Sequence, residues 1–301
     1  MSPYVTSTLS YYGVGGIGLS LSRGPPITTN YRTMTLPKIT PKQHEILNLL
    51  YRYRFLNRIQ IQFFLNHKYH KRINDWLNDL TNKSYLCRIY SKKLPDNIKP
   101  AIYYISNNAI RLLKTQKDCS PEFIRKLYRE KDRSKTFIDQ CILLGDICLT
   151  LRDEVNKKRD DGKTVWHEYA LRADFMMPDS SFNFLSELQP HLLAVKHEKK
   201  KRTKDTWYLL EIFEPTIPNY LIRKRLKTYL EFYWSSEWES STNLSFPTIL
   251  FVCSTTAMLI YAKRYARKLI QEADKPNDLI IRFATAENVK ASGVMGKIWE
   301  S

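Results

Sequence analysis

The sequence predicts a mixed α/β (α+β) protein, and three observations support this prediction. The first third of the chain carries helical periodicities followed by two short strand-like segments. Later segments alternate between strand and helix patterns, as expected for helices packed on a mixed sheet. Hydrophobic residues make up 43% of the 301 residues, which can fill a core and suits two modest domains.

The predicted organisation has four parts. Residues 1–36 are rich in Ser, Thr, Gly, Tyr and Pro, which is typical of a flexible tail. A first domain follows over 37–119, connecting helices over 120–160, and an α/β domain over 161–301.

Three helices are predicted in the first domain. Thr40 can cap a helix that has Pro41 at its first position. A second short helix is predicted over Arg58–Leu65 and a third over about Tyr69–Asn82, where apolar residues recur at helical spacing. The side chains of the second helix that we expect to face the core are Ile59, Phe63 and Phe64.

Two strand-like segments, Tyr85–Tyr90 and Ala101–Ile105, follow the third helix and flank a polar loop rich in lysine. Asn107–Leu113 then begins another helix. Three helices followed by a basic hairpin is the arrangement of a winged helix-turn-helix domain. In such a domain the third helix enters the major groove of DNA and the hairpin contacts the backbone.

Positive charge is concentrated in this first domain. Residues 37–119 contain 16 lysines and arginines and five acidic residues, so they carry +11 of the formal net charge of +18. Such a balance points to a polyanionic partner, and double-stranded DNA fits the predicted helices and hairpin. The candidate DNA-binding residues are His70, Lys71, Arg72, Asn74, Asn78, Lys83, Lys92, Lys93 and Lys99.

The residue types on the third helix favour DNA recognition over a plain solvated surface. Arg, Lys and Asn are the side chains that read guanine and adenine edges. Asp75 and Asp79 are the acids of this segment. The alternative is an amphipathic helix whose polar side binds nothing, but the basic loop beyond it makes the DNA-binding interpretation stronger.

Cysteine usage and hydropathy indicate a cytoplasmic protein without a membrane partner. No apolar run reaches the roughly 18 residues of a membrane span, and the first residues lack the basic start of a signal peptide. The five cysteines are odd in number and none are paired at C-x-x-C spacing, which predicts reduced core thiols.

The second half of the chain alternates between helices and strands. A largely apolar helix is predicted around 137–151, ending in the charged stretch Asp153–Asp161. The strands predicted beyond it are Tyr169–Met177, Trp207–Phe213, Thr248–Cys253 and Leu279–Phe283, and the helices are Tyr220–Trp234 and Thr255–Ala273.

Two acidic residues fall inside the predicted apolar strands. Asp174 and Glu211 would be costly to bury unless they are paired or bind a cation. On neighbouring strands they could hold Mg²⁺ and activate water against a phosphodiester, with Glu168 as a third ligand. The alternative is that each carboxylate pairs with a basic residue such as Arg172 or Arg225.

Residues 40–255 resemble the replication-relaxation proteins of plasmids and other mobile elements. The sequences that carry the resemblance are Trp166-His-Glu168, Leu171-Arg-Ala-Asp174, Tyr208-Leu-Leu-Glu211, Thr216 and Arg225-Leu-Lys-Thr-Tyr229. The resemblance implies a winged helix joined to a restriction-endonuclease-like domain, whose core is arranged helix, three strands, helix, strand. It also implies catalytic positions at Glu168, Asp174, Glu211 and Arg225, with Asp174 and Glu211 as the metal ligands.

The chain departs from the family pattern at three positions. The nucleases have a Lys two residues after the second acid and the replication-relaxation family tends to have an Asp, whereas this chain has Phe213. Pro215 replaces the family's usual Gly, and Arg225 stands where the family tends to have Lys. A basic residue of this helix, Arg225 or alternatively Lys224 or Lys227, could substitute for the missing Lys. Because Phe213 shares a strand face with Glu211, a charge is missing where catalysis needs one, and we expect a degenerate nuclease-like domain.

The sequence therefore predicts a sequence-dependent DNA-binding protein that acts in DNA replication or relaxation, or in their control. One alternative is a Mg²⁺-dependent endodeoxyribonuclease or nickase that uses Asp174 and Glu211, and another is a winged-helix transcriptional repressor. The sequence is also compatible with a homodimer. The lysine-rich run His197–Lys204 is predicted to form a loop between two strands, either solvated or in contact with phosphates.

Overall fold

A computed structural model describes residues 35–93, 96–154, 165–198, 205–272 and 279–301, which form helices around two β-sheets. Nearly all of the predicted tail, 1–36, lies outside these residues, as do positions 199–204 of the lysine-rich run. The mixed α/β class is confirmed.

The N-terminal segment contains four helices and a small antiparallel sheet. Its elements are α1 Pro41–Tyr53, β1 Leu56–Asn57, α2 Arg58–Phe64, α3 His70–Asn82, β2 Leu86–Ile89, β3 Ile102–Ile105 and α4 Asn107–Leu113. The strand order is β1-β3-β2, so β3 pairs with both neighbours.

Capping side chains determine where α1 and α2 begin. The Thr40 hydroxyl accepts the Gln43 amide hydrogen, and the Gln43 side chain accepts the Thr40 amide hydrogen at 2.8 Å, which confirms the predicted cap. Asn57 and Gln60 form the same reciprocal pair at the start of α2. Each pair satisfies two backbone or capping groups that the helix itself leaves without partners.

The prediction for the core-facing side of α2 is partly wrong. Ile59 and Phe63 are 40% and 61% exposed, whereas Ile61 and Phe64 are buried. A helix of seven residues buries one side against its neighbours, and positions 59 and 63, one turn apart, share the opposite side.

Two helices lead from this segment to the large sheet, α5 Pro121–Leu127 and α6 Lys135–Glu154. The apolar side chains of α1 and α3, such as Leu50 and Leu77, belong to the same core as Leu171 and Leu210 of the large sheet. The two predicted domains therefore share one hydrophobic core, and 36–301 forms one compact unit.

The large sheet has five strands in the order of the sequence. They are β4 Val165–Leu171, β5 Leu192–Glu198, β6 Thr206–Ile212, β7 Thr248–Cys253 and β8 Ile281–Thr285. The β4–β5 and β5–β6 pairs are antiparallel, and the β6–β7 and β7–β8 pairs are parallel. The remaining helices are α7 Arg172–Phe175, α8 Asn219–Trp234, α9 Glu237–Thr242, α10 Thr256–Glu272 and α11 Ala286–Ser292.

The strand predicted over Tyr169–Met177 ends early, at Leu171. The Asp174 carboxylate accepts the Leu171 amide hydrogen at 2.7 Å. Asp174 therefore caps the start of the short helix α7 instead of lying in a strand. No strand was predicted between Tyr169–Met177 and Trp207–Phe213, but β5 forms over Leu192–Glu198 and includes the start of the run that was predicted to be a loop.

Alternation along β6 assigns each side chain to one face of the sheet. Leu210 and Ile212 pack into the core shared with α1 and α6, whereas Leu209 and Phe213 pack into a second core beneath α8 and α10. Glu211 therefore faces α8.

Two further expectations concern the membrane and the cysteines. Within the described ranges, no helix has both the length and the apolar character needed to cross a membrane. The five cysteines are free thiols, and four of them are buried, as predicted for core residues.

Candidate functional site

The exposed face of α3 carries three of the predicted DNA-binding residues. Lys71 and Asn78 are exposed and Asn74 is half-buried between them. Positions separated by three, four or seven residues share one face of a helix, so these side chains form a continuous polar stripe. The opposite side of α3, with Ile73 and Leu77, is fully buried.

The other candidates on α3 differ in their surroundings. His70 is exposed in the first turn. The Arg72 guanidinium lies 5.6 Å from the centre of the Trp76 ring, on the flank of the stripe. The Lys83 ammonium donates to Asp79 at 2.7 Å and to the Lys38 carbonyl at 2.9 Å. Lys83 therefore connects the end of α3 to the chain before α1, and its donors are already used within the protein.

The carboxylate of Asp79 on α3 has two side-chain hydrogen-bond partners. It accepts hydrogen bonds from Lys83 and from the Gln43 side chain, the latter at 2.6 Å, and these bonds lower its pKa. Asp75 remains as the exposed acid of this helix among the described residues. The polar stripe of α3 is therefore more favourable to an anion than the number of acidic residues in the helix suggested.

The hairpin loop between β2 and β3 presents basic and apolar side chains. Lys92, Lys93 and Lys99 are exposed. Ile98 is 80% exposed, and the Arg88 guanidinium stacks 4.8 Å from the centre of the Tyr90 ring. Residues 94 and 95 of this loop lie outside the described part of the chain.

The expectation that Asp174 and Glu211 lie on adjacent strands is wrong. β5 separates β4 from β6, and the register aligns Leu171 with Leu192 and Leu192 with Leu210. The end of β4, three residues before Asp174, is therefore separated by two strand spacings, roughly 10 Å, from β6, which carries Glu211.

Asp174 is held by an arginine of the N-terminal segment. Arg52 of α1 donates from Nε and Nη2 to the two carboxylate oxygens at 2.9 and 2.7 Å. Together with the Leu171 amide, these contacts occupy both oxygens of Asp174 with fixed donors.

Glu211 is buried and surrounded by polar groups. Its Oε2 accepts from Arg225 at 2.7 Å and from the Tyr229 hydroxyl at 3.0 Å. Its Oε1 lies 3.2 Å from Nδ1 of His191 and 3.6 Å from Arg172. Burial raises the pKa of Glu211, but the contacts with His191, Arg225 and Arg172 more than offset this, so the pKa lies below its ordinary value.

Glu168 lies far from this cluster, so its predicted role as a third ligand is wrong. It is exposed, and its register partners are Val195 on β5 and then Trp207 on β6, four residues before Glu211. Four residues along a strand correspond to roughly 13 Å. Throughout the described ranges, no three His, Cys, Asp or Glu residues converge as metal ligands would.

Arg225 reaches Glu211 from α8, where the family resemblance leads us to expect a basic side chain. Phe213 is 2% exposed and stacks on Phe251, with 5.2 Å between the ring centres. At position 213, where the related nucleases have a lysine, this chain therefore has aromatic packing. The cation that contacts Glu211 comes instead from Arg225 of α8.

Sequence reasoning missed His191 and the cavity beside it. A cavity of about 620 Å³ lies where β6 leads towards α8, and its lining includes Arg172, His191, Glu211, Lys224 and Arg225. Burial and the charge of Arg172 lower the pKa of His191 to about 4, so its ring is neutral at pH 7. The sequence signal for His191 was only its position directly before a run of apolar residues.

Comparisons with protein-family models, with curated proteins and with solved structures yielded no match to this chain.

Proposed function

We propose that the protein binds double-stranded DNA, and that residues 37–119 act as a winged helix-turn-helix. The polar stripe of α3, formed by Lys71, Asn74 and Asn78, carries the proposal. It combines side chains that can read base edges with a buried opposite face that holds the helix rigid.

The arrangement of the neighbouring elements supports the proposal. The order α1, β1, α2, α3, β2, β3 and the small sheet β1-β3-β2 suit a helix inserted into the major groove with a hairpin beside it. Lys92, Lys93 and Lys99 on that hairpin would contact phosphates, which gives affinity that does not depend on sequence.

For the role of the whole protein, we propose control of DNA replication or relaxation on a plasmid or another mobile element, in the cytoplasm. The order α6, β4, β5, β6, α8, β7 agrees with the helix, three strands, helix and strand of the restriction-endonuclease-like core that the resemblance implies. Free, largely buried thiols suit a reducing compartment.

We propose further that the second half of the chain supports binding and has a degenerate nuclease site. The bidentate bond of Asp174 to Arg52 and the contacts of Glu211 with Arg225 and Tyr229 support this view, since they compete with a metal ion for the same oxygens.

Fluorescence anisotropy of the full chain on duplex DNA tests the proposal. The sequence would first be enriched from a random 30-base-pair pool, and the affinity for the enriched duplex compared with that for a scrambled duplex. Log affinity should fall linearly with log salt, with a slope of about −0.9 per phosphate contacted.

Two variants separate base recognition from phosphate contact. Asn74→Ala should reduce discrimination between the two duplexes, by about 1–3 kcal/mol if it makes a bidentate base contact. Lys92→Ala should weaken binding to both duplexes equally and reduce the salt slope by about 1. Lys135→Ala, an 81% exposed side chain of α6, is the matched control and should change neither quantity. Equal behaviour of Asn74→Ala and Lys92→Ala would refute the assignment of α3 and the hairpin.

A further inference from the structure

Another cavity lies where the end of α8, the helix α9 and the segment before β7 meet. Its volume of about 830 Å³ falls within the range of small-molecule sites. Among the described residues of its lining, three are aromatic, Tyr233, Trp234 and Phe246, one is a carboxylate, Glu239, and none is a lysine or an arginine. We call it the aromatic cavity.

Two turns and a buried indole hold the walls of the aromatic cavity in place. Ser236 and Asn243, at the two ends of α9, adopt the left-handed backbone conformation, with φ angles of 52° and 56°. Trp238 between them is fully buried, and its indole N–H donates to the Ser245 carbonyl at 3.0 Å. The segment that carries Phe246 is therefore fixed against α9, and the cavity is formed before any ligand binds.

Two of the three rings stand at a right angle to each other. The centres of the Tyr233 and Phe246 rings are 5.0 Å apart, and the angle between their planes is 89°. Perpendicular rings bound a corner in which a rounded group can contact both of them. Trp234, which is 54% exposed, adds an indole to the same lining. The faces of such rings are electronegative and attract cations, and the attraction is strongest for tryptophan.

Glu239 adds a carboxylate to this aromatic lining. Its Oε2 is enclosed and has no hydrogen-bond partner among the described residues, so the carboxylate would act on a ligand through its charge and not through a bond to that atom. The chain as a whole carries a formal net charge of +18, which repels cations. A cation that binds here therefore needs a local site, because the overall charge opposes its approach.

We propose that the aromatic cavity binds a methylated ammonium group, such as the trimethylammonium of choline or of a methylated lysine side chain. A bare ammonium is strongly hydrated, whereas a methylated one is less so and contacts aromatic rings through its methyl groups. The cation lies in the corner between Tyr233 and Phe246, against Trp234, and Glu239 stabilises its charge. The proposal rests on the cavity, the rings and the carboxylate, and it does not depend on DNA binding by α3.

Isothermal titration calorimetry of the full chain separates the effect of charge from that of shape. Choline carries the trimethylammonium group, and 3,3-dimethyl-1-butanol has the same shape with a carbon atom in place of the nitrogen. Choline should bind with a Kd of about 1 mM or lower, and the neutral analogue about fivefold more weakly. Equal binding of the two would overturn the proposal. This comparison uses the unaltered protein and requires no variant to fold.

A pair of short peptides distinguishes the two sources of the group. One peptide carries a central trimethyllysine, and the other carries the unmethylated lysine in the same sequence. The methylated peptide should bind more tightly than choline if the natural source is a lysine side chain, and less tightly if the source is a small molecule. Tighter binding of the unmethylated peptide than of the methylated one would overturn the choice of a methylated group.

Two variants remove the proposed attractions one at a time. Trp234→Leu keeps an apolar side chain at a half-exposed position and removes the indole, so it should weaken choline binding about fivefold. Glu239→Gln keeps the shape of the side chain and removes its charge, and it should also weaken choline binding about fivefold.

Matched controls remove the same kinds of group from positions outside the lining. Tyr220→Leu replaces a 58% exposed ring in the first turn of α8, and Glu237→Gln removes a carboxylate from the first turn of α9. At about 0.15 M salt, where distant charges are screened, each control should change the Kd for choline less than twofold. Equal weakening by Glu239→Gln and Glu237→Gln would overturn the proposal, and so would the absence of heat with choline and both peptides at millimolar concentration.

Discussion

Arg52 of α1 and Asp174 of α7 form a bidentate ion pair between residues 122 positions apart in the sequence. The hydroxyls of Tyr53 and Tyr169, one on each side of the same junction, are 2.7 Å apart. The segment proposed to bind DNA is thus attached by polar contacts, as well as by a shared core, to the edge of the large sheet. Asp174 has a structural role here, at a position where the sequence predicted a metal ligand.

Loss of the Arg52–Asp174 pair should destabilise the protein moderately. Both side chains are about one-third exposed, so the pair lies between an exposed ion pair and a buried one. Asp174→Asn and Arg52→Gln should each lower the free energy of unfolding by about 1–2 kcal/mol, as measured by urea denaturation. The double variant should cost less than the sum of the single variants.

An exposed pair on the same helix gives the control. Lys42 and Glu45 bond at 2.8 Å with both side chains about half exposed, so Glu45→Gln should cost less than about 0.5 kcal/mol. If Asp174→Asn costs no more than this control, the pair does not secure the junction. If added Mg²⁺ stabilises the unaltered protein and this stabilisation is lost in Asp174→Asn, the metal-ligand role must be restored.

The buried cluster around Glu211 should make the largest single electrostatic contribution to stability. Arg225→Met leaves the Glu211 carboxylate buried, and the loss of one partner of such a pair typically costs about 3–5 kcal/mol. Adding Glu211→Gln to this variant should recover part of the loss at pH 7, because the unpaired charge is removed. A further loss in the double variant would contradict this account.

The cost of Arg225→Met should also depend on pH. The pKa of Glu211 is lowered in the folded protein, because Arg225 and its neighbours offset the effect of burial. The stability that depends on the carboxylate is therefore present above the unfolded-state pKa of about 4.3 and is lost as pH falls through the folded-state value. Urea denaturation at pH 7, 4 and 2.5 should show the difference between the variant and the unaltered protein shrinking at the acid end.

His191 should give a second, separable pH dependence. Its pKa falls from an ordinary value near 6.5 to about 4 because of burial and the charge of Arg172. The unfolded chain therefore binds a proton between pH 6.5 and 4 that the folded chain does not, so stability decreases as pH falls through this range. The slope from this group alone is at most about 1.4 kcal/mol per pH unit.

His191→Gln isolates that contribution, since glutamine does not titrate. Between pH 6.5 and 4.5 the free energy of unfolding of this variant should vary less with pH than that of the unaltered protein. His67→Gln, the same substitution at a half-buried ring elsewhere in the chain, serves as the control. Parallel curves for the His191 variant and the unaltered protein would show that His191 titrates normally.

Local patterns predicted most of the long helices and three of the five strands of the large sheet at least in part, but they missed β5, Leu192–Glu198. β7 has the predicted bounds, Thr248–Cys253, because an isolated apolar run flanked by polar residues permits little else. The end of β4 was missed because it depends on Asp174 meeting a backbone amide and a distant arginine. His191 could not be identified in advance, since its burial and its contact with Glu211 arise only when β5 pairs with β6.

The acidic residues illustrate the same limit for function. The cost of burying a carboxylate correctly predicted that Asp174 and Glu211 need partners. It could not distinguish a shared metal ion from separate arginines, because that depends on strand order. The strand order places β5 between β4, which leads to Asp174, and β6, which carries Glu211, and each acid pairs with its own arginine.

The aromatic stack at Phe213 leads to the last prediction, that a lysine at this position does not create a nuclease. Phe213 is 2% exposed, with its ring parallel to that of Phe251 at an angle of 8° and 5.2 Å between centres. Phe213→Lys removes this packing and forces an ammonium towards an apolar core, so the free energy of unfolding should fall by about 3 kcal/mol or more. Phe213→Leu, which keeps the site apolar, should cost roughly half as much.

The same variant should not nick supercoiled plasmid in the presence of Mg²⁺. Asp174 of α7 would remain bound to Arg52, and Glu211 of β6 to Arg225, so the new ammonium would have no metal-bound water to orient. Gel electrophoresis of plasmid incubated with equal amounts of the unaltered protein, Phe213→Lys and Phe213→Leu measures this directly. Nicking that appears only with lysine at 213, and disappears again when Asp174→Ala is added, would show that the two carboxylates do converge on a metal during turnover. In that case the pairs of Asp174 with Arg52 and of Glu211 with Arg225 would belong to the resting state of an enzyme.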